Sequence, residues 1–183
     1  MDESIFLSRL VSGEHILWTG KAGRGILLTS RDVFLIPFSI LWCGFAIFWT
    51  STASSMGNAP AFFPLFGLLF VFVGLYFVFG RFLFDAWVRR GLNYAVTDRR
   101  ILILRASPME SFTTINLDHL PELELKEKGD GSGTIRFGRR VSVWSNHGIS
   151  SWTPSLDPTP QFLAVENVRH VFDLIQKASE RDR

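Results

Sequence analysis

The sequence predicts an α+β membrane protein, in which a transmembrane helical hairpin is joined to a small antiparallel β-sheet or barrel capped by a C-terminal helix. Three observations support this fold class. Residues 33–80 contain no Asp, Glu, Lys, Arg or His, residues 92–137 contain short β-forming segments, and residues 165–179 carry a helical apolar stripe. The chain of 183 residues has room for one ordinary domain and an anchor.

The N-terminal part, residues 1–32, precedes the apolar stretch. Residues 5–11 predict a short amphipathic turn or helix, and residues 14–29 contain the first strand or strands. We therefore expect a domain that is split in the sequence. Residues 1–32 begin it, residues 33–84 form the hairpin region, and residues 85–183 complete it.

Two apolar segments, about residues 33–54 and 61–80, predict the two helices of the hairpin. A helix rises about 1.5 Å per residue, so some 20 residues cross a hydrocarbon core of about 30 Å. A short turn rich in helix-breaking residues joins the two segments. Gly67 and Gly74 share one face of the second helix, which predicts close helix packing; ordinary tolerance of glycine in membrane helices is the alternative.

Positive charges on the flanks predict the orientation of the hairpin. Residues 55–60, between the spans, carry none. The outer flanks carry Lys21, Arg24, Arg31, Arg81, Arg89 and Arg90. Because positively charged flanks stay in the cytoplasm, both termini are predicted to be cytoplasmic. A cleaved signal peptide is disfavoured, because the leader is too long and a second apolar segment follows.

The part after the hairpin predicts several strands and one helix. The predicted strands are residues 92–96, 101–105, 111–115, 120–127 and 134–137. Residues 139–160 lack a clear pattern, apart from a possible strand at 141–144. A C-terminal helix is predicted at about 165–179 from Val165, Val168, Val171, Phe172 and Ile175.

Composition and motifs argue against several classes of function. A formal net charge of +2 does not suggest a nucleic-acid binder. The single cysteine, Cys43, cannot form an internal disulfide, and no His/Cys spacing predicts a metal or other cofactor site. The glycine-rich residues 129–133 lack the ending of a phosphate loop, and Asp118 and His119, as strand neighbours, would point to opposite faces. We therefore expect no enzymatic activity.

Three short motifs carry a resemblance to a known family. They are Gly-Glu-His-Ile-Leu-Trp-Thr-Gly at 13–20, Tyr-Ala-Val-Thr-Asp-Arg-Arg-Ile at 94–101, and Gly-Ser-Gly-Thr-Ile at 131–135 followed by Phe137. With these motifs and this order of elements, the chain resembles the bacterial PH-like domain membrane proteins, a broad and mostly uncharacterised group. The resemblance implies a PH-like domain interrupted by a two-helix hairpin, in the bacterial inner (cytoplasmic) membrane.

Arginines near the predicted membrane surface are the candidate binding residues. Arg99 and Arg100 either contact lipid phosphates or belong to a hairpin turn in which an Arg covers apolar surface. Arg89 and Arg90 are interpreted as interface anchors or as part of a headgroup pocket. Trp152 is a possible partner surface. The complete set of possible headgroup or interface residues is Arg31, Arg81, Arg89, Arg90, Arg99 and Arg100.

These features favour a non-enzymatic, membrane-anchored PH-like interaction module. It would bind a protein partner or scaffold a complex at the cytoplasmic face of the bilayer. The alternative is a sensor of anionic lipid headgroups that uses Arg89, Arg90, Arg99 and Arg100. A membrane-bound enzyme is the third hypothesis, and no group of residues supports it. Fold alone does not choose among them.

Overall fold

The structure, a computed structural model, describes residues 4–29, 31–56, 60, 62–107, 109–138 and 153–181. The chain forms two compact units. The β domain comprises Met1–Gly25 and Asp85–Arg183, and the hairpin comprises Ile26–Phe84. Two antiparallel sheets and two long apolar helices confirm the α+β class in this general form.

The helices differ from the sequence-based expectation mainly in where the second long helix ends. It continues to Arg90, whereas the apolar segment was expected to end at residue 80, because the last part of the helix is amphipathic rather than apolar. A π-helical turn, Tyr76–Gly80, lies inside this helix. The helices are α1 (Ser4–Leu7), α2 (Asp32–Ser55), α3 (Phe62–Leu75), α4 (Arg81–Arg90) and α5 (Val168–Arg181).

The two helices of the hairpin pack closely at glycines, as the spacing of Gly67 and Gly74 predicts. Both glycines are buried. A Cβ atom added to Gly74 would lie 2.9 Å from the Cβ atom of Cys43 on α2, and one added to Gly67 would collide with Thr50. Glycine therefore lets the two backbones approach closely, as small residues do at membrane helix interfaces.

The outer surface of the hairpin is apolar. Only 17% of the most apolar window of the first helix and 11% of that of the second are buried. Large side chains such as Val33, Leu41 and Phe72 are more than half exposed. By length and composition, both helices are able to cross a membrane.

The β domain contains two antiparallel sheets among its described residues. The first has the order β1-β2-β3-β4, with strands Ile16–Lys21, Leu92–Thr97, Arg100–Arg105 and Ser111–Asn116. The second has the order β5-β6-β7, with strands Leu123–Glu127, Gly133–Phe137 and Gln161–Val165. In the first sheet Lys21 lies opposite Asn93. The hairpin is therefore inserted in the sequence between two strands that pair with each other.

An aromatic cluster around Phe162 forms the core between the sheets. The ring centroid of Phe162 lies 4.5 Å from that of Tyr94, 5.1 Å from that of Phe137 and 5.8 Å from that of Trp18. The amide of Leu163 donates a hydrogen bond to the Tyr94 hydroxyl at 3.0 Å. Burial raises the pKa of this hydroxyl well above its usual value. The cluster thus connects β1, β2, β6 and β7.

The predicted start of the C-terminal helix is wrong. Helix α5 begins at Val168 instead of near residue 165, and residues 161–165 form strand β7, for which the sequence offered no prediction. Ala164 near the end of β7 and Asn167 just before α5 both have φ of 49°, so no regular helix can run through residues 164–167. Val165 is buried as a strand residue, so its place in the apolar stripe was coincidental. The possible strand at 141–144 lies outside the described residues.

Candidate functional site

A buried carboxylate joins the two sequence motifs on either side of the hairpin. The side chain of Glu14 is fully buried, and Arg100 donates to both its oxygens, with Nε 2.8 Å from Oε1 and Nη2 2.9 Å from Oε2. The Thr97 hydroxyl donates to Oε1 at 2.8 Å, and the amide of Val11 donates to Oε2 at 2.8 Å. Arg100 is thus held by a fork of two charge-assisted hydrogen bonds.

The electrostatics of this cluster favour the charged form of Glu14. Burial on its own raises the pKa of the carboxyl. The hydrogen bonds from Arg100, Val11 and Thr97 and the charge of Arg100 outweigh burial and lower the pKa to about 2. Glu14 is therefore ionised at neutral pH, and its acceptor sites are occupied by the β domain itself.

The turn between β2 and β3 is fixed by a second contact with the segment before the hairpin. The amide of His15 donates to Asp98 Oδ1 at 3.0 Å, and the amide of Asp98 donates to the carbonyl of His15 at 3.0 Å. The hydrogen bond from the His15 amide holds the pKa of the Asp98 carboxyl below its usual value. In the same turn the side chain of Arg99 is exposed.

Arg89 forms a closed polar cluster inside the β domain. Its Nε donates to Asp85 at 2.7 Å, Nη1 donates to the carbonyl of Gly23 at 2.6 Å, and Nη2 donates to the carbonyl of Gly25. The other oxygen of Asp85 accepts from the Ser155 amide at 3.0 Å and the Ser155 hydroxyl at 2.8 Å. Every nitrogen of this guanidinium therefore has a protein partner.

Arg81 forms a polar pair inside the hairpin that is incomplete. Its Nη1 lies 2.8 Å from Asp32 Oδ1, and both side chains are buried. The second oxygen of Asp32 accepts from the amide of Thr29 at 2.6 Å and from its hydroxyl at 2.8 Å. Among the described residues, Arg81 Nε and Nη2 are buried without a hydrogen-bond partner. Such buried donors are uncommon in proteins and require an explanation.

The structure thus separates the six candidate arginines into groups. Arg81, Arg89 and Arg100 have ion-pair partners within the chain. Arg31 is half-buried and also has an interaction partner, whereas Arg90 and Arg99 are exposed. Trp152 lies outside the described residues.

The acidic partners Glu14, Asp32 and Asp85 were not recognised from the sequence. The spacing of four residues between Asp85 and Arg89 is a usable signal, because such residues meet on one helix face. Glu14 and Arg100 offer no such signal, since the hairpin separates them in the sequence.

Exposed apolar side chains lie around the contact between the N-terminal segment and β4. Arg9 joins these parts: its Nη2 lies 2.7 Å from Glu110, and its guanidinium carbon lies 4.8 Å from the centre of the Phe112 ring. We call the surrounding exposed residues the Phe112 surface; they are Leu7, Val11, Met109 and Phe112.

The described residues contain no group of three or more His, Cys, Asp or Glu side chains arranged to hold a metal ion. An open groove lies beside α5, with Leu17, Leu174 and Ala178 on its apolar side and His170, Asp173 and Lys177 on its polar side.

Comparison of the chain with known protein families, with curated protein sequences and with solved structures gave no match.

Proposed function

We propose that this protein is a non-enzymatic, membrane-anchored PH-like interaction module that binds a protein partner at the cytoplasmic face of the inner membrane. One observation carries the anchoring: the two long helices bury only 17% and 11% of their most apolar windows. A helix in the core of a soluble protein is mostly buried, whereas a membrane helix turns its apolar side chains toward lipid.

The PH-like assignment rests on the order of elements and on the motifs. Two antiparallel sheets followed by α5 fit a bent sheet capped by a C-terminal helix. The motif at 13–20 and the motif at 94–101 pair with each other, through β1 and β2 and through Glu14 and Arg100. The residues that carry the resemblance therefore support one continuous structure on both sides of the insertion.

A protein partner is favoured over a lipid headgroup because two of the candidate arginines already bind groups of the protein itself. Arg89 and Arg100, two of the four arginines of the headgroup-sensor hypothesis, bind carboxylates and carbonyls of the β domain. The Phe112 surface, by contrast, leaves Met109 61% exposed and Leu7 60% exposed. Exposed apolar side chains on segments that also carry polar ones, as Arg9 and Glu110 do here, are found at protein-binding surfaces.

Site-specific photo-crosslinking in native membranes tests this proposal. A photoreactive residue at Phe112 should give a discrete crosslinked protein, and the same residue at the exposed Asp173 on α5 should not. Met109→Glu should remove the crosslink without changing the amount of folded protein, because a charge would be desolvated in the complex. Equal labelling at both positions, or no effect of Met109→Glu, contradicts a partner at this surface.

The lipid alternative retains Arg90 and Arg99, which are exposed. It requires the protein in nanodiscs to bind more tightly to anionic than to zwitterionic vesicles, and Arg99→Ala to abolish the difference. If Arg99→Ala abolishes this difference and no crosslink forms at Phe112, the protein is a headgroup sensor and not a protein-binding module.

The orientation is tested with reporter fusions. A reporter at residue 183 and one inserted between residues 55 and 60 should lie on opposite sides of the membrane, the first in the cytoplasm. Reporters on the same side would overturn the two-span hairpin.

A further inference from the structure

We propose that the unpaired edge of Arg81 binds the phosphate group of a membrane phospholipid. This inference rests on the proposed membrane insertion of the hairpin, and it concerns a site that is separate from the Phe112 surface. All the residues that form it, Thr29, Asp32, Arg81 and Phe82, belong to the hairpin unit.

The geometry of the guanidinium indicates the class of ligand. Nε and Nη2 lie on the same edge of the group and direct parallel N–H bonds outward, and both are buried without a partner. Such an edge fits two oxygens of a carboxylate or phosphate. In Arg100 the same two nitrogens bind both oxygens of Glu14. Arg81 therefore presents a fork that elsewhere in this chain holds an oxyanion.

The contacts that Arg81 already makes leave its Nε and Nη2 edge for a further ligand. Asp32 accepts from Arg81 Nη1 with one oxygen and from Thr29 with the other. The ring of Phe82 lies over one face of the guanidinium, with its centre 4.4 Å from Cζ. Phe82 excludes a ligand from that face. Because Nε and Nη2 are also covered in the structure, a phosphate reaches them in the plane of the group, as bidentate oxyanions do, once the covering side chains move aside.

The position of the pair favours a lipid as the source of the phosphate. Asp32 is the first residue of α2, and Arg81 directly follows the uncharged residues 33–80. Once the spans cross the bilayer, both residues lie at the boundary of the hydrocarbon core, where the phosphates of phospholipids are found. An Arg at this depth with free N–H groups gains a partner from the lipid itself.

Native mass spectrometry of the full chain, released from nanodiscs of defined phospholipid, tests the proposal. We expect one tightly held phospholipid on the wild-type protein and about tenfold less on Arg81→Lys, because lysine keeps the charge but lacks the fork. The control Arg24→Lys, an exposed arginine outside the candidate headgroup set, should retain the lipid at the wild-type level.

Further measurements distinguish a lipid phosphate from free phosphate and control for loss of the fold. An excess of inorganic phosphate should not displace the lipid; displacement would overturn the lipid assignment. Gly74→Ala disturbs the packing of the hairpin outside this site, so it should keep the bound lipid even if it lowers the thermal unfolding temperature. Equal lipid retention on the wild type and Arg81→Lys would overturn the proposal. If that occurs while the reporters still lie on opposite sides, this inference fails and the membrane anchor stands.

Discussion

Two buried arginines on one continuous helix, Arg81 and Arg89, differ in how completely the protein satisfies them. Both are at most 3% exposed, and each pairs with an aspartate. Arg89 in the β domain has partners on all three nitrogens, whereas Arg81 in the hairpin has a partner on one. Burial of an arginine is therefore a poor indicator of function, and the number of unsatisfied donors separates a structural cluster from a candidate site.

The largest expected effect is the loss of the closed cluster. Arg89→Ala leaves Asp85 as an unpaired buried charge and frees the carbonyls of Gly23 and Gly25. Breaking a buried ion pair from one side costs about 3–5 kcal/mol, so we expect the free energy of unfolding to fall by that amount. Denaturant unfolding in detergent, followed by tryptophan fluorescence, measures it. The control Arg90→Ala should change it by less than about 0.5 kcal/mol; equal effects would refute the difference between the two positions.

A smaller loss is expected at the cluster that joins the two motifs. Glu14→Gln keeps the shape of the side chain but removes the charge that Arg100 binds. Hydrogen bonds to charged groups contribute about 1.5–3 kcal/mol, and we expect a destabilisation in that range in the same unfolding experiment. Glu110→Gln removes the exposed ion pair with Arg9 and should cost less than about 1 kcal/mol. A cost for Glu110→Gln as large as that for Glu14→Gln would contradict this interpretation.

The stability of the hairpin should depend on the size of the side chains where its two helices pack. Gly74→Ala brings a Cβ atom within 3.0 Å of the backbone of Cys43, and such overpacking costs about 1–3 kcal/mol. Gly44→Ala is the matched control, because a Cβ atom at Gly44 has no neighbour within 4 Å. Thermal unfolding in nanodiscs should therefore show a lower midpoint for Gly74→Ala only. An equal decrease for both variants would indicate that helix packing is not the cause.

The last effect is the dependence of stability on pH, which develops as the pH falls from about 4.5 to about 2. The pKa of Glu14 is lowered from 4.5 to about 2, so its contribution to stability is fully present above the unfolded-state pKa and is lost as the pH falls toward 2. Little of it is lost by pH 4, and most is lost between pH 4 and 2. The difference in unfolding free energy between wild type and Glu14→Gln should therefore narrow as the pH falls through this interval. A constant difference down to pH 2 would show that the charge of Glu14 does not stabilise the fold.

The sequence predicted the elements whose signal is local. The two apolar helices were visible because a run of residues without charge is long enough to detect directly, and Gly67 and Gly74 indicated the packed face. Most strands were also visible as short β-forming segments. Strand β7 was missed because it lies between a stretch without pattern and the apolar periodicity of α5. Val165 then extended the apolar periodicity of α5 backward by chance.

The candidate site was less predictable, because its contacts are distant in the sequence. The sequence indicates arginines near a predicted membrane surface, but the role of each arginine depends on the groups that it binds in the fold. Glu14 and Arg100 lie on opposite sides of the hairpin in the sequence, so their ion pair is known only from the folded structure. The carbonyls of Gly23 and Gly25 that bind Arg89 belong to the backbone, so side-chain types do not indicate them. Arg90 and Arg99 are distinguished from the other candidate arginines only by the structure, which shows these two side chains as exposed.

The pairing of β1 with β2 also sets an order of events during synthesis. Strand β1 is made before the hairpin and β2 after it, and ribosomes add about 5–20 residues per second. Strand β1 must therefore wait on the order of several seconds for its neighbour, while the two apolar segments are synthesised. The first sheet closes only after both apolar helices have been synthesised, so a completed β domain indicates that the whole hairpin is present.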